Sequence, residues 1–142
     1  DLGADLLAET LEKLERGNLT PVPQEEAKAT HAPMLRKEMA EVDWTRPAKE
    51  IHDQIRGLNP WPLAVSQLDG HRLKLLASRV REGKGEPGKA FSQNGSLLVY
   101  CGEGALEITL LQTDKGKRMD GKSYLLGHPL GEGSRFGVDE NV

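Results

Sequence analysis

Lysine and arginine side chains gather in two clusters in the second half of this sequence of 142 residues. The stretch DKGKRMDGK carries four of them: Lys115, Lys117, Arg118 and Lys122. An earlier stretch, HRLKLLASRVREGKGEPGK, carries six more: Arg72, Lys74, Arg79, Arg81, Lys84 and Lys89. Clustered cations bind the phosphate groups of nucleic acids, and an aromatic content of only 4% favours phosphate contact over base stacking. The alternative is a solvated strand face, which the composition supports equally well.

Other side chains with chemical potential lack the surroundings that catalysis or metal binding requires. The four histidines are scattered, and no two have metal-ligand spacing: His31, His52, His71 and His128. No serine lies in a nucleophile-elbow motif. The single cysteine, Cys101, lies in an apolar run, where a small buried thiol is expected. We therefore assign no catalytic residue, no metal ligand and no cofactor ligand.

The composition limits the class of protein. Hydrophobic residues make up 37% of the chain and the net charge is −3, which allows one domain of ordinary size or a small domain with extra segments. Residues 63–137 carry 11 lysines and arginines against 8 acidic residues, which permits a polyanionic partner without requiring one. The sequence has no apolar run of membrane-spanning length and only one cysteine, so we expect a cytoplasmic protein without membrane association.

The first segment, GADLLAETLEKLERGN, has the apolar period of an amphipathic helix. A lone helix cannot bury its own leucine stripe, so this stripe needs a surface to lie on. Residues 19–43 follow with three prolines, many charges and no sustained period. We expect an extended connector there rather than a domain.

A second helix is predicted in DWTRPAKEIHDQIRGLNPWP, with Thr45 as its N-cap and Pro47 in its first turn. Gly57 should end this helix. Trp44 precedes the helix and Trp61 follows it, and both are expected to anchor its ends in one core.

The remainder of the sequence predicts short strands joined by tight turns. The pairs Asp69-Gly70 and Asn94-Gly95 are strong hairpin signals, and a third turn is expected at residues 102–104. Five or six strands in about 75 residues indicate a small barrel or sandwich. A short helix is expected at residues 123–127. The fold class is therefore mainly β with flanking helices (α+β).

Several motifs in a fixed order resemble the C-terminal part of the methionyl-tRNA formyltransferase family. They are VDWTRPAKEIHDQIRGLNPWPLA, then LQTDKGKRM, then LLGH. The stretches GADLLAETLEKLERGNLTPVPQ and THAPMLRKE resemble the segment that joins the two domains of that family. The resemblance covers essentially the whole chain. Two departures are Leu125, where an aromatic residue is common, and Gly116, which is shifted by one position.

The resemblance implies an OB-like β-barrel preceded by two helices and an extended linker. Residues 1–18 would be the last helix of a formyltransferase domain that precedes this chain, residues 19–43 the linker, and residues 44–142 the OB-like tRNA-binding domain. The start at Asp1, without a methionine, leads us to expect a fragment of a longer protein.

The same resemblance implies transfer of a formyl group from 10-formyltetrahydrofolate to methionyl initiator tRNA. The family's catalytic residues lie in the preceding domain, and its H-x-S-x-L-P motif has no counterpart here, so we expect this chain alone to be inactive and to need no cofactor. The expected partners are initiator tRNA, held through phosphates, and the catalytic domain of the same protein, in a monomer. The candidate tRNA-binding residues are Arg36, Lys37, Lys115, Lys117, Arg118 and Lys122.

Two alternatives remain open on the sequence. One is the equivalent C-terminal module of another folate-dependent formyltransferase or hydrolase. The other is a structural domain that braces a catalytic domain and whose basic face is only solvated.

Overall fold

A computed structural model describes residues 1–137, which form two compact units with a boundary after Pro33. The first unit contains helix α1, Leu2–Glu15, and a short 3₁₀ turn, Glu26–Lys28. Gly17 has a φ of +68°, the left-handed conformation that ends helices and that glycine adopts without steric cost. The predicted first helix is confirmed. Its five leucines remain between 52% and 85% exposed: Leu2, Leu6, Leu7, Leu11 and Leu14.

The second unit begins with a strand-like connection and a helix. After the 3₁₀ turn Lys37–Met39, the Val42 N–H donates to the Val65 carbonyl at 3.0 Å, and the Val65 N–H donates to the Ala40 carbonyl at 2.8 Å. Helix α2, Ala48–Gly57, buries its apolar face through Ala48, Ile51 and Ile55.

The N-cap of α2 is Pro47 rather than the predicted Thr45. The side chain of Asp43 accepts both the backbone N–H and the hydroxyl of Thr45, at 3.0 and 2.6 Å, which holds Thr45 in the turn before the helix. The first free N–H of the helix, that of Ala48, donates instead to the Glu103 carbonyl at 2.8 Å. The helix start is therefore fixed by the loop that contains Glu103.

Six antiparallel strands form one sheet in the order β1-β2-β5-β4-β3, with β6 beside β5. They are β1 Ala64–Leu68, β2 His71–Arg81, β3 Ala90–Gln93, β4 Ser96–Tyr100, β5 Ala105–Thr113 and β6 Arg118–Asp120. Helix α3, Gly121–Gly127, follows β6. The three predicted turns and the short last helix are confirmed.

The sheet is open, whereas the sequence predicted a barrel. The edge strands β1 and β3 do not pair with each other but both bond to residues 134–137. The Gly137 N–H donates to the Gln67 carbonyl of β1 at 3.0 Å, and the Ala90 N–H of β3 donates to the Ser134 carbonyl at 2.9 Å. We call residues 134–137 the seam segment, because it joins the two edges that a closed barrel would pair directly.

One strand face departs from the predicted alternation. Leu106 and Ile108 are buried as expected, but Leu110 is only half-buried and Leu111 takes the next core position. The cause is an irregularity in the β2–β5 pairing, in which Ala77 opposes Leu110 but Ser78 opposes Ile108. The extra residue on β5 reverses which side chains face the core beyond that point.

The two tryptophans have different environments, contrary to the prediction that both are core residues. Trp44 is 4% exposed, and its indole N–H donates to Ser66 Oγ at 2.9 Å. The centroids of the Trp44 and Phe136 rings are 4.9 Å apart. Trp61 is 52% exposed. At this end of α2 the buried side chain is instead that of Leu58, the C-cap residue, which is 5% exposed.

Candidate nucleic-acid interface

A row of polar side chains crosses three neighbouring strands on the outer face of the sheet. Lys74 of β2 opposes Gln112 of β5, and Gln112 opposes Arg118 of β6. Directly opposed residues project from the same face of a sheet. Lys74 and Arg118 therefore lie on either side of Gln112, with about 10 Å between their Cα atoms. Leu73 and Leu75, the neighbours of Lys74, are fully buried and hold this face outward.

Ion pairs divide the basic residues of the chain into two groups. Among residues 1–137, eight lysines and arginines lie within 4 Å of a carboxylate: Lys13, Arg16, Lys28, Arg46, Lys49, Arg56, Arg81 and Arg135. All six predicted tRNA-binding residues fall outside this group, as do Arg72 and Lys74. Their charge is therefore not offset by a carboxylate of the described chain and is available to an anion.

The β5–β6 turn brings three of the predicted residues together: Lys115, Lys117 and Arg118. Gln112 Nε2 donates to the Gly116 carbonyl at 3.0 Å, and the Gly116 N–H donates to the Thr113 carbonyl at 3.1 Å. A Cβ at position 116 would lie 2.1 Å from Thr113 Oγ1, so a larger residue there would force the Thr113 side chain to move. The turn that carries the cations is consequently held by its own hydrogen bonds.

Lys122 lies apart from that turn. Its aliphatic stem runs beside the β3–β4 turn, where a Cβ on Gly95 would lie 3.7 Å from Lys122 Cδ. The separation arises because α3 begins at Gly121, immediately after β6. Asp120 caps this helix by accepting the Ser123 N–H at 2.8 Å and the Ser123 hydroxyl at 2.9 Å, and these bonds hold the pKa of the Asp120 carboxyl below its usual value.

Arg36 and Lys37 lie on the opposite border of the sheet. They are exposed and immediately precede the segment whose Ala40 and Val42 bond to Val65 of β1. Val65 in turn opposes Lys74. The predicted residues thus form three groups: Arg36 with Lys37, the cations of the β5–β6 turn, and Lys122. Lys74 lies between the first of these groups and the β5–β6 turn.

Arg72 and Lys74 were not among the predicted site residues. Their alternation with buried leucines in HRLKLL was visible in the sequence. The sequence did not predict the pairing register of β2, β5 and β6, which places Lys74 two strands away from Arg118.

His52 and His128 have structural partners, and Cys101 is buried. His52 Nδ1 lies 3.0 Å from Ser78 Oγ, and Ser78 is 7% exposed. His128 stacks on Tyr124 with ring centroids 4.4 Å apart. Cys101 is 2% exposed, and burial raises the pKa of its thiol to about 12.

The described residues contain no group of three or more histidine, cysteine, aspartate or glutamate side chains that could hold a metal ion. Within the same residues, no helix is both long and apolar enough to span a bilayer.

These features define a small antiparallel β domain that presents cations without carboxylate partners on one sheet face. Residues 34–129 match the formyl transferase C-terminal domain family, and the chain belongs to that family. The resemblance noted in the sequence is thereby confirmed.

Curated relatives extend the match beyond those residues. The methionyl-tRNA formyltransferase of Pelobacter propionicus is 47% identical over 137 residues, which are 96% of this chain and 43% of that protein. The methionyl-tRNA formyltransferase of Caldanaerobacter subterraneus is 42% identical over 136 residues, or 94% of this chain and 44% of that protein. The chain therefore spans less than half the length of these relatives.

Solved structures share the fold at lower identity. A crystal structure of a HypX variant from Aquifex aeolicus matches with a TM-score of 0.62 at 24% identity, over 87% of this chain and 22% of that one. The structure of HypX in complex with tetrahydrofolic acid matches with a TM-score of 0.60 at 25% identity, over 85% of this chain and 22% of that one. The architecture thus occurs beyond the methionyl-tRNA formyltransferases.

Proposed function

We propose that this chain binds initiator methionyl-tRNA through its phosphates and orients it for formylation. The observation that carries the proposal is the row of Lys74, Gln112 and Arg118 together with the cations of the β5–β6 turn, all without carboxylate partners among residues 1–137. A phosphate backbone supplies repeated negative charge at a regular spacing, which such a row can follow. The Gln112 amide between the two cations donates one N–H to the Gly116 carbonyl, and its second N–H can donate to a sugar or phosphate oxygen.

The chemical step is assigned to another part of the parent protein. The relatives are about twice as long as the stretch that they share with this chain. We infer that the parent protein transfers a formyl group from 10-formyltetrahydrofolate, and that this chain contributes by positioning a large substrate. It would do so as a monomer in the cytoplasm, attached to the catalytic domain.

The isolated chain is expected to show no formyl transfer. The measurement is incubation with methionyl-tRNA and 10-formyltetrahydrofolate, followed by detection of formylmethionine. Turnover by the isolated chain would contradict the assignment of chemistry to the remainder of the protein.

Two other functions are compatible with the fold. HypX shares the architecture at 24–25% identity, so a module for another folate-dependent enzyme is a candidate. The 42–47% identity to methionyl-tRNA formyltransferases favours the tRNA enzyme. The second candidate, a domain that only braces a catalytic domain, offers no reason for a row of cations without carboxylate partners.

Titration of the chain with initiator tRNA at several salt concentrations tests the proposal. Phosphate contacts release counterions, so the logarithm of the association constant should fall linearly with the logarithm of the salt concentration, with a slope near −0.9 per phosphate contacted on a duplex. Absent binding, or binding without salt dependence, would favour the bracing function.

A double variant, Lys117→Ala with Arg118→Ala, is expected to reduce the magnitude of that salt slope by about 2. It should weaken binding of different tRNAs by similar factors, because phosphates carry no sequence information. Loss of binding to one tRNA alone would show that these side chains read bases.

A further inference from the structure

Trp61 is the one large aromatic side chain of the second unit that is more than half exposed among the described residues. An indole ring has a large apolar surface, and leaving about half of it in water forgoes a substantial stabilisation. Trp44, the other tryptophan, is buried and bonded to Ser66. The exposed indole therefore calls for an explanation other than core packing.

The loop that carries Trp61 is fixed at both ends. The Leu63 N–H donates to the Leu58 carbonyl at 2.9 Å, and Asn59 Nδ2 donates to the Leu76 carbonyl of β2 at 3.1 Å. Pro60 and Pro62 flank the tryptophan and restrict the backbone further. Leu63 has a φ of +70°, a costly conformation for a leucine. The indole is thus held outward by an ordered loop.

Chain geometry keeps Trp61 near cations of the proposed tRNA surface. Trp61 and Val65 are four positions apart in the sequence, so their Cα atoms lie at most roughly 14 Å apart. Val65 opposes Lys74 on one side and bonds to Ala40 on the other, three residues after Lys37. An RNA strand that contacts Lys37 and Lys74 would pass Trp61 within a few nucleotides. Cations interleaved with an exposed aromatic ring are how proteins hold single-stranded nucleic acids.

We propose that the indole of Trp61 stacks on an unpaired nucleotide of the bound tRNA. This inference rests on the proposed function, and it adds a contact that requires an unstacked base rather than a phosphate. A base stacks on an aromatic ring whatever its identity, so the contact selects unpaired over paired RNA without reading sequence.

Tryptophan fluorescence and binding by the whole chain test this contact. The ligands are initiator tRNA and a blunt RNA duplex with the same number of phosphates. The variants are Trp61→Ala, which removes the ring, and Trp61→Phe, which keeps an aromatic ring and leaves Trp44 as the only indole. Thermal unfolding of each variant checks that the fold is retained, as an exposed side chain predicts.

We expect tRNA to quench the fluorescence of the wild-type chain but not that of Trp61→Phe. Trp61→Ala should weaken tRNA binding about fivefold or more, and Trp61→Phe by less than about threefold. The salt slope should be the same for all three proteins, because no phosphate contact is lost. The duplex should cause little quenching.

Normal affinity of Trp61→Ala for tRNA, with steep salt dependence retained, would overturn this inference and leave the proposed function standing. Equal quenching by the duplex would also overturn it. Shielding of Trp61 from acrylamide at high protein concentration without RNA would show that a second copy of the chain covers the ring, and would overturn it too. Failure of the wild-type chain to bind tRNA would contradict the proposed function first, and this inference with it.

Discussion

The environment of a single side chain decides its chemistry, and Cys101 illustrates this at the residue scale. The sequence predicted an inert buried thiol from an apolar run, and the structure confirms its burial, at 2% exposed. Burial raises the pKa of the thiol to about 12 because a thiolate would lose its hydration. The thiolate is the nucleophilic form, so the folded chain holds almost none of it at neutral pH.

Alkylation of Cys101 by iodoacetamide at pH 8 should therefore be at least about 100-fold slower than that of a free cysteine, whose pKa is about 8.5. Addition of urea should restore the normal rate. Mass spectrometry of quenched samples measures both rates. Rapid alkylation of the folded chain would show that the segment after β4, which carries Cys101, opens frequently.

The raised pKa also links Cys101 to stability in alkali. Below the pKa of the unfolded thiol, about 8.5, both states are protonated and the thiol causes no pH dependence. As the pH rises above that value, only the unfolded state ionises, so the free energy of unfolding should fall by up to about 1.4 kcal/mol per pH unit until the folded pKa is reached. Urea unfolding of the wild-type chain and of Cys101→Ala between pH 8 and pH 10.5 measures the difference, and parallel curves would contradict the shift.

At the scale of elements, the register of the sheet determines which cations act together. β5 pairs with β2 along one edge and with β4 and then β6 along the other, and this arrangement places Lys74 and Arg118 in one row. Lys74 and Arg118 are far apart in the sequence. The row is a property of three strands rather than of any one motif.

A double variant, Arg72→Ala with Lys74→Ala, should lower the magnitude of the salt slope of tRNA binding by about 2. The matched control is Arg46→Ala with Lys49→Ala, which removes the same charge from cations that already pair with Glu50 and Asp53. Filter binding at several salt concentrations gives both slopes. Equal effects of the two double variants would mean that only the net charge of the chain matters.

The seam segment is a second feature that belongs to elements rather than residues. Ser134 Oγ donates to Asp69 Oδ2 at 2.6 Å and accepts the Gly131 N–H at 2.9 Å, and Ser134 is 5% exposed. Removal of this hydroxyl breaks two hydrogen bonds, one of them to a carboxylate, although Asp69 and Gly131 are exposed and can bond to water instead. The Ser134 side chain thus adds to the backbone hydrogen bonds that hold the seam.

Ser134→Ala should reduce the free energy of unfolding by about 0.5–1.5 kcal/mol, measured by urea denaturation. Glu86→Ala serves as the control, because it removes only the ion pair between Glu86 and Arg135, whose side chains are 65% and 53% exposed, and should cost less than Ser134→Ala. Equal stability of Ser134→Ala and the wild type would show that the Ser134 hydroxyl contributes little to the seam.

The order of the elements could be predicted from the sequence because their signals are local. Asp69-Gly70 and Asn94-Gly95 adopt positive φ at their turns, as those dipeptides favour. The exposure of Trp61 could not be predicted, because burial depends on how the loop packs in three dimensions, and no local pattern reports that packing. The seam was missed for the same reason: its bonds join Ser134 to Asp69, 65 positions away, and no local pattern reports such a contact.

At the scale of the whole molecule, the hydrophobic core formed by the described residues is drawn from residues 42–136 of the second unit. A unit with its own core is expected to fold alone. A chain that starts at Met34 should therefore unfold at the same urea concentration as the full chain. It should also bind tRNA with the same affinity if residues 1–33 make no contact with tRNA. Circular dichroism gives the midpoint, and a lower midpoint for the shorter chain would show that the first unit stabilises the second.

The seam also has a consequence for how the protein is made. Residues 134–137 are the last of the described residues to leave the ribosome, so the nascent chain exposes the edge of β3 and the end of β1 around Gln67 until synthesis has passed that point. Unpaired strand edges are templates for pairing with other chains. A ribosome that stalls before residue 134 would release a sheet with these two stretches unpaired, and such products should aggregate far more readily than the whole chain.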